Sequence, residues 1–346
     1  MRIRRRLPVI TVVLLAIAAV ALAVILRKHA PPEPARLLPS ADAFVYANLS
    51  WMRRASLTGE IPPVAHDPDY EQFIQATGFQ FERDLEQAAV AIHYSSPAGL
   101  RENRFSEVLV GRVDAERLRA YLEKLASSVD SYQGRNIYNI PLEGRTLRVC
   151  MLAVDTVAAS NHPDPQIIRG IIDRSRKLAS PFGGPLLLRQ YYKHVPLASA
   201  AWGIFEVNPA VATPGGSLAP MDSSFLFSQP AVVVASVRYL GSVRFRAEAF
   251  TVSEAEATHV ATQLSTFLDV FHSAEASVGS PAPDPDMAAF FSSLKVDQKG
   301  DRAELTASLP PGLLRKIVAE APAAASTPTA PPVPAEPPAA KARTHR

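Results

Sequence analysis

The chain has 346 residues, 47% of them apolar and 20% charged, with 31 prolines, 16 glycines and one cysteine. That length suggests about two domains at ~150 residues each, the apolar share excludes a wholly disordered chain, and a lone cysteine excludes an intramolecular disulfide and a cysteine-based zinc site. The net charge of +3 is local: Arg2, Arg4, Arg5, Arg6, Arg27 and Lys28 are six of the 36 cationic residues, leaving 30 against 33 acidic ones, so a basic nucleic-acid surface is not expected.

Leu7 to Leu26 is a run of 20 residues without a charge, interrupted only by Pro8 and Thr11. As a helix it would span about 30 Å, the thickness of a bilayer core, and Pro8 falls in the first turn, where its missing N–H costs little. The arginines ahead of it favour a cytoplasmic N-terminus. Residues 1–6 then form a cytoplasmic tail, residues 7–26 a transmembrane anchor in the inner (cytoplasmic) membrane, and the bulk of the chain lies on the periplasmic side. A cleaved signal peptide is the rival; its apolar region is typically ~7–15 residues and ends in small residues, whereas this run ends in Leu26-Arg27-Lys28-His29. Cys150 is too far from the N-terminus for a lipoprotein.

Residues 27–39 read as a Pro-rich linker that holds the domain off the membrane in extended form. Strands are expected at 43–49, 88–94 and 107–113, and a short helix at 69–76 with an Asp69…Gln72 cap and a stop at Gly78. Asp114 caps a helix whose stripe is Leu118, Tyr121, Leu122 and Leu125. Strands follow near 136–140, 145–152 and 154–159, and Asp164-Pro165 opens a helix carrying Ile167, Ile168, Ile171 and Ile172. The order then recurs. A strand at 199–207 and a loop at 214–230 precede a hairpin of 231–240 and 243–250 around Gly241-Ser242. Ser253…Glu256 reads as a capping box for a helix with Val260, Ala261, Leu264 and Phe267 on one stripe. A second hairpin, 293–296 with 302–309, turns at Lys299-Gly300-Asp301, and Leu313 to Val318 close with a helix. Residues 40–195 and 196–320 are thus two α+β halves of a degenerate internal duplication, followed by a disordered Pro/Ala-rich tail at 321–346 that has no large apolar residue to bury.

Val243, Phe245, Ala247 and Ala249 alternate with Arg244, Arg246 and Glu248, and Ala303, Leu305 and Ala307 alternate with Glu304, Thr306 and Ser308. Period-2 alternation means one buried and one wet face. The expected fold class is therefore a two-layer α+β protein, mainly antiparallel, with helices on one face of the sheet and a polar face exposed.

Catalytic chemistry finds little support. None of the eight histidines forms a close metal-ligand pair, so neither a metal nor a cofactor is expected. His66-Asp67-Pro68-Asp69 and Asp284-Pro285-Asp286 read as Pro-bracketed loops leading to helix caps rather than acid/base clusters, and His93 as a strand histidine. Gly215-Gly216-Ser217 is no nucleophile elbow. Ser292…Lys295 matches S-x-x-K without its K-T-G companion. Cys150 reads as a small buried apolar residue, and Asn48-Leu49-Ser50 as a chance glycosylation sequon in an Arg-rich, bacterial-type composition.

Thr77-Gly78-Phe79, Asp84-Leu85 and Val110-Gly111-Arg112-Val113-Asp114, with Leu38-Pro39 and Asp42-Ala43 before the first strand, resemble a pattern in uncharacterised bacterial membrane-anchored envelope proteins. The resemblance spans about residues 38–125 and implies localisation and fold rather than a reaction. The expected function is a non-catalytic binding or scaffold module of the cell envelope. It is anchored in the lipid bilayer and binds an envelope protein, a glycan or a lipid, with Arg244 and Arg246 on the binding face. Alternatives are an envelope hydrolase whose catalytic residues are scattered in sequence, and a purely structural spacer.

Overall fold

The computed structural model describes residues 30–54, 66–94, 104–142, 144–176, 184–209, 225–239, 242–277, 285–310 and 312–313. The expected anchor, Gly215-Gly216-Ser217, Asp284, most of the closing helix and the tail lie outside them. Among the described residues no helix is long and apolar enough to cross a membrane.

The alternating segments become strands β1 (Ala43–Asn48), β2 (Leu85–His93), β3 (Arg104–Gly111), β4 (Ser128–Tyr132), β5 (Arg135–Leu142), β6 (Arg145–Met151), β7 (Thr156–Ser160), β8 (Ala201–Val207), β9 (Ala231–Tyr239), β10 (Val243–Phe250), β11 (Lys295–Lys299) and β12 (Arg302–Leu309). They form one sheet in the order β11-β12-β10-β9-β8-β1-β2-β3-β7-β6-β5-β4, and the pairings are antiparallel throughout. The helices are α1 (Glu33–Leu37), α2 (Leu49–Arg54), α3 (Pro68–Thr77), α4 (Phe81–Asp84), α5 (Ala115–Leu125), α6 (Gln166–Arg176), α7 (Leu186–Tyr191), α8 (Glu254–Ser277) and α9 (Pro285–Ser293).

The mixed α+β class and the antiparallel sheet stand, but the two-layer arrangement does not. Cross-strand register gives each residue a face. On the front face Phe44 and Tyr46 of β1 oppose Ala91 and Ala89 of β2 and Ile204 and Trp202 of β8. Ile168, Ile171 and Ile172 of α6, Leu187 and Leu188 of α7 and Ala35 and Leu37 of α1 join them in the main core cluster. On the back face Leu118 and Leu122 of α5 cover Tyr138, Val149 and Ala159, and Val260 of α8 covers Ala249 and Ala303. Helices therefore lie on both faces. The physical reason is that runs such as Ala88–Ile92 and Ala231–Ala235 present apolar side chains to both sides, and each side must be covered.

Pairing recurs along the chain. In β1-β2-β3 and in β8-β9-β10, a helix (α5 or α8) leaves the third strand and crosses the back face. A later hairpin then lays its second strand, β7 or β12, against that third strand. β1 and β8 pair at the centre from Ala43↔Phe205 to Ala47↔Ala201, so the two halves share one sheet.

Local departures from the sequence reading have local causes. Residues 33–37, expected to be extended, form α1, because Ala35, Leu37 and Leu38 (0%, 3% and 1% exposed) find a core to enter and prolines are tolerated in a first turn. The α3 cap is Asp67, not Asp69: its Oδ1 accepts from Tyr70 N at 2.8 Å, with Pro68 opening the helix. Gly78 stops that helix at φ 73° as expected. Ser253 Oγ accepts from Glu256 N, but the Glu256 carboxylate turns away to accept from Ser228 N, Ser228 Oγ and Gln229 N, so the capping box is half formed. Four elements went unread, α2, α4, α7 and β4. The Asn48 side chain of the sequon accepts from Ser50 Oγ and Trp51 N at the start of α2. β4 carries its one aliphatic side chain, Val129, 47% exposed, with only Tyr132 reaching the core, leaving little pattern to read.

Of the residues behind the family resemblance, those from Gly78 to Leu85 and from Gly111 to Asp114 gather at one junction, while Leu38 enters the main core and Asp42 and Ala43 lie at the other end of β2. Gly111 N donates to Asp155 O, Arg112 N to Asp84 O, and Gln80 N to the Asp84 carboxylate. Arg83 and Arg112 flank that carboxylate at 2.6 and 3.6 Å, and the Arg83 hydrogen bond holds its pKa below the ordinary value. Arg117 of α5 donates to Ala76 O and Gln75 O at the end of α3.

Candidate binding face

Past Val232, Val234 and Phe250, which still pack on the front core, the chemistry of the front face changes along β9, β10, β12 and β11. Register places Arg238 opposite Arg244, Ser236 opposite Arg246 and Val234 opposite Glu248 between β9 and β10. Arg246 then opposes Thr306, and Glu248 opposes Glu304. On the edge strand Lys295, Asp297 and Lys299 point to the same face and are exposed, while Val296 and Gln298 are half-buried. The expectation of a wet polar face holds for this part of the sheet.

An ion-pair network occupies its middle. Arg246 Nη2 lies 2.6 Å from Glu248 Oε1, and Arg246 Nε lies 2.7 Å from Glu304 Oε1. The second contact is off the N–H axis, so Nε makes an ion pair without an aligned hydrogen bond. Lys299 Nζ adds a contact of 3.4 Å to the other Glu304 oxygen. Glu248 is 6% exposed; burial pushes its carboxyl pKa up, and Arg246 only partly opposes that. At one end the Arg302 guanidinium lies 5.2 Å from the Phe250 ring centroid, a cation–π contact.

Arg238 and Arg244 stand outside this network. They face each other directly across β9 and β10, where like charges are destabilising, and among the described residues neither side chain has an ion-pair or hydrogen-bond partner. Over the face as a whole, Arg238, Arg244, Arg246, Lys295, Lys299 and Arg302 outnumber Glu248, Glu304 and Asp297. Such a face suits a ligand bearing several negative charges, because guanidinium groups bind phosphate and carboxylate through paired N–H donors. The sequence reading chose Arg244 and Arg246 but missed Arg238: a two-residue turn at Gly241-Ser242 would pair Arg244 with Tyr239, whereas the observed register is one residue different and pairs it with Arg238.

The other sequence candidates fall into structural roles. Asp67 is a cap, and His66 Nε2 lies 3.5 Å from Glu82. Ser292 Oγ donates to Ala289 O in the last turn of α9, the wrong end of a helix for S-x-x-K chemistry. Cys150 is fully buried, and burial pushes its thiol pKa up to about 11. His93 faces His162 with ring centroids 5.1 Å apart, and burial lowers both pKa values. Among the described residues, no serine hydroxyl or cysteine thiol hydrogen-bonds a histidine ring, and no group of three His, Cys, Asp or Glu side chains could hold a metal ion.

No family model matches the chain, and no curated protein matches it. Among solved structures it is similar to crystal form III of TP0453, at 11% identity over 85% of this chain and 99% of that one, with a TM-score of 0.42. Crystal form IV of the same protein gives 10% identity over 84% of this chain and 97% of that one, with a TM-score of 0.43. These are loose likenesses of overall shape, at identities where no residue role carries over.

Proposed function

We propose that the chain is a membrane-anchored envelope module that binds rather than catalyses, held in the inner membrane by Leu7–Leu26 with its folded part outside the cytoplasm. The observation that carries the binding reading is the unpaired Arg238–Arg244 juxtaposition on an otherwise ordered polar sheet face. An unfavourable like-charge pair persists where a ligand repays it. The uncharged 20-residue run behind Arg2, Arg4, Arg5 and Arg6 supports the placement. The recurring pairing order supports a degenerate duplication as the origin of the sheet.

Placement is tested with Lys295→Cys in the full chain. Cys150 is buried, so a membrane-impermeant maleimide reports on position 295 alone. Labelling of intact spheroplasts is expected, and labelling only after lysis would overturn the placement. Binding is tested by photocrosslinking from position 295 in living cells. A discrete adduct that disappears with Arg238→Glu/Arg244→Glu supports the reading; an adduct pattern indifferent to charge reversal sinks it.

A further inference from the structure

We infer that the chain has a second binding site, on the back of the sheet beside α5, for a small organic carboxylate that carries a further hydrogen-bonding group and a short apolar part. The site is independent of the charged face, which lies on the front of the sheet along β9 to β12.

The first observation is a cavity. About 590 Å³ of space lies between α5, the β4–β5 turn and the β6–β7 turn, within the range of about 300–1,000 Å³ that small-molecule pockets occupy. Small residues leave the room. Ala115 begins α5, Ala153 sits in the β6–β7 turn, and Gly134, at φ 74°, has nothing within 4 Å of its missing Cβ. Leu118 and Leu122 dock α5 on Tyr138, Val149 and Ala159. Arg119 and Glu123, one position further along the helix in each case, line the cavity.

The second observation is that polar groups converge on this cavity without partners. Tyr138, which lines it, is 2% exposed, and among the described residues its hydroxyl has no hydrogen-bond partner. A buried tyrosine O–H normally finds one, and leaving it unmade is costly. Arg119 and Glu123 lie one turn apart, about 6 Å along the helix axis, yet they do not pair, and among the described residues neither side chain has another partner. The arginine-first order is the weaker one for such a pair. The Asn136 amide is unpartnered in the same sense. Arg135 is fixed to the wall, its Nη1 donating to Met151 O at 2.9 Å, which leaves the rest of its donor fork to a ligand.

These groups define the ligand. Two guanidiniums against one carboxylate favour an anion, and a guanidinium fork binds a carboxylate through paired N–H donors. Asp114 already caps α5 through Glu116 N and Arg117 N, so the anion is held by side chains and not by the helix end. Tyr138 donates and Glu123 accepts, which calls for a polar group beside the ligand's carboxylate. Met151 and Val154, the latter 75% exposed, supply a wall for a short aliphatic part.

The test titrates the full chain in detergent micelles with L-leucine, N-acetyl-L-leucine and L-leucinamide, read by ligand-observed NMR. The first two carry the carboxylate and differ in offering Glu123 an ammonium or an amide N–H; the third lacks the carboxylate. Saturable binding of at least one acid is expected with a dissociation constant of about 1 mM, as befits so small a ligand. Leucinamide should bind about tenfold more weakly or worse. Arg119→Gln should weaken the acid by about tenfold, and Tyr138→Phe should weaken it severalfold. Arg238→Gln/Arg244→Gln, on the other face, should leave it unchanged. Arg119 is exposed, so its variant keeps the fold and stays decisive even if the one at 138 does not. Tyr138→Phe removes a hydroxyl that bonds nothing in the fold, so it should melt no lower than wild type. No saturable binding of either acid by about 10 mM, leucinamide binding as tightly as the acids, or binding indifferent to both Arg119→Gln and Tyr138→Phe each overturns the inference. None of these outcomes touches the charged face, whose own test is the crosslink from position 295.

Discussion

Tyr46 and Trp202 stack with ring centroids 5.5 Å apart and an interplanar angle of 23°. They come from β1 and β8, the first strands of the two halves, and sit opposite each other in register on the front face. Tyr192 closes edge-on against the indole at 5.3 Å. The Tyr46 hydroxyl donates to Gln87 Oε1 at 2.9 Å, and burial, with Tyr192 adding, pushes its pKa up to about 12. The stack is where the halves become one body.

Removing it should unfold both halves together. Trp202 is 3% exposed, and Trp202→Ala should cost about 3–5 kcal/mol, the range for deleting a buried aromatic ring. Its indole N–H has no hydrogen-bond partner, so Trp202→Phe forfeits volume but no hydrogen bond and should cost about 1–2 kcal/mol. Urea titration of the full chain in mild detergent, followed by tyrosine fluorescence and by circular dichroism, checks both values. Separate transitions for the two probes in wild type would refute a single cooperative unit.

Glu256 ties α8 to the Phe227–Gln229 segment. Burial alone would raise its pKa, but hydrogen bonds from Ser228 Oγ, Ser228 N and Gln229 N outweigh burial and hold it below 4.5. A depressed folded-state pKa means the contribution is present above the unfolded pKa and is lost as pH falls through the folded one. Glu256→Gln should therefore destabilise by about 1–3 kcal/mol at pH 7. The gap from wild type should shrink progressively below pH 4.5, as the wild-type carboxyl takes up its proton. Thermal melts at pH 7 and at steps below pH 4.5 measure the gap; a constant gap would argue against an ionised acceptor.

Gly111 is required by contact rather than by dihedral angle. A Cβ there would lie 2.6 Å from Asp84 O and 3.2 Å from Leu85 Cα, both backbone atoms that cannot rotate away. Gly111→Ala should cost about 1–3 kcal/mol or more through forced backbone shifts. Gly134, with open space around its missing Cβ but φ at 74°, should cost about 1–2 kcal/mol when changed to Ala, from the left-handed conformation alone. A cost well under about 1 kcal/mol for Gly111→Ala in denaturation experiments would remove the contact argument.

Cys150 should be inert. Its side chain is buried, and its thiol pKa is pushed to about 11 by burial, with Arg135 opposing. Since the thiolate is the reactive form, native protein at pH 8 should resist iodoacetamide until denaturant is added, as mass spectrometry of the intact chain would show. Rapid native alkylation would contradict this burial.

The sequence by itself determined the parts whose signal is local. Val243–Phe250 announced its two faces through strict alternation, Asp114 announced a cap, Gly78 a left-handed stop, and Lys299-Gly300-Asp301 a hairpin. It also ordered the elements well enough to show the recurring pattern, since each period-2 or 3.6 stripe is written in adjacent residues. What the chain pairs with at long range was decided only in three dimensions. Nothing near residues 33–37 tells that Ala35 and Leu37 enter a core that gathers Phe44, Ala91, Ile171 and Leu188 from separate parts of the chain. Asp67 won the α3 cap from Asp69 because Pro68 fixed where the helix could begin. Glu256 left its capping box because Ser228 and Gln229, distant in sequence, offered three donors against one. The helices took both faces because apolar runs such as Ala88–Ile92 present side chains to both sides, which a single covering layer cannot satisfy. The Arg238–Arg244 pair belongs to the same class. Each arginine alone is an ordinary polar-face residue, and only the register of β9 against β10 sets two unpartnered charges opposite each other.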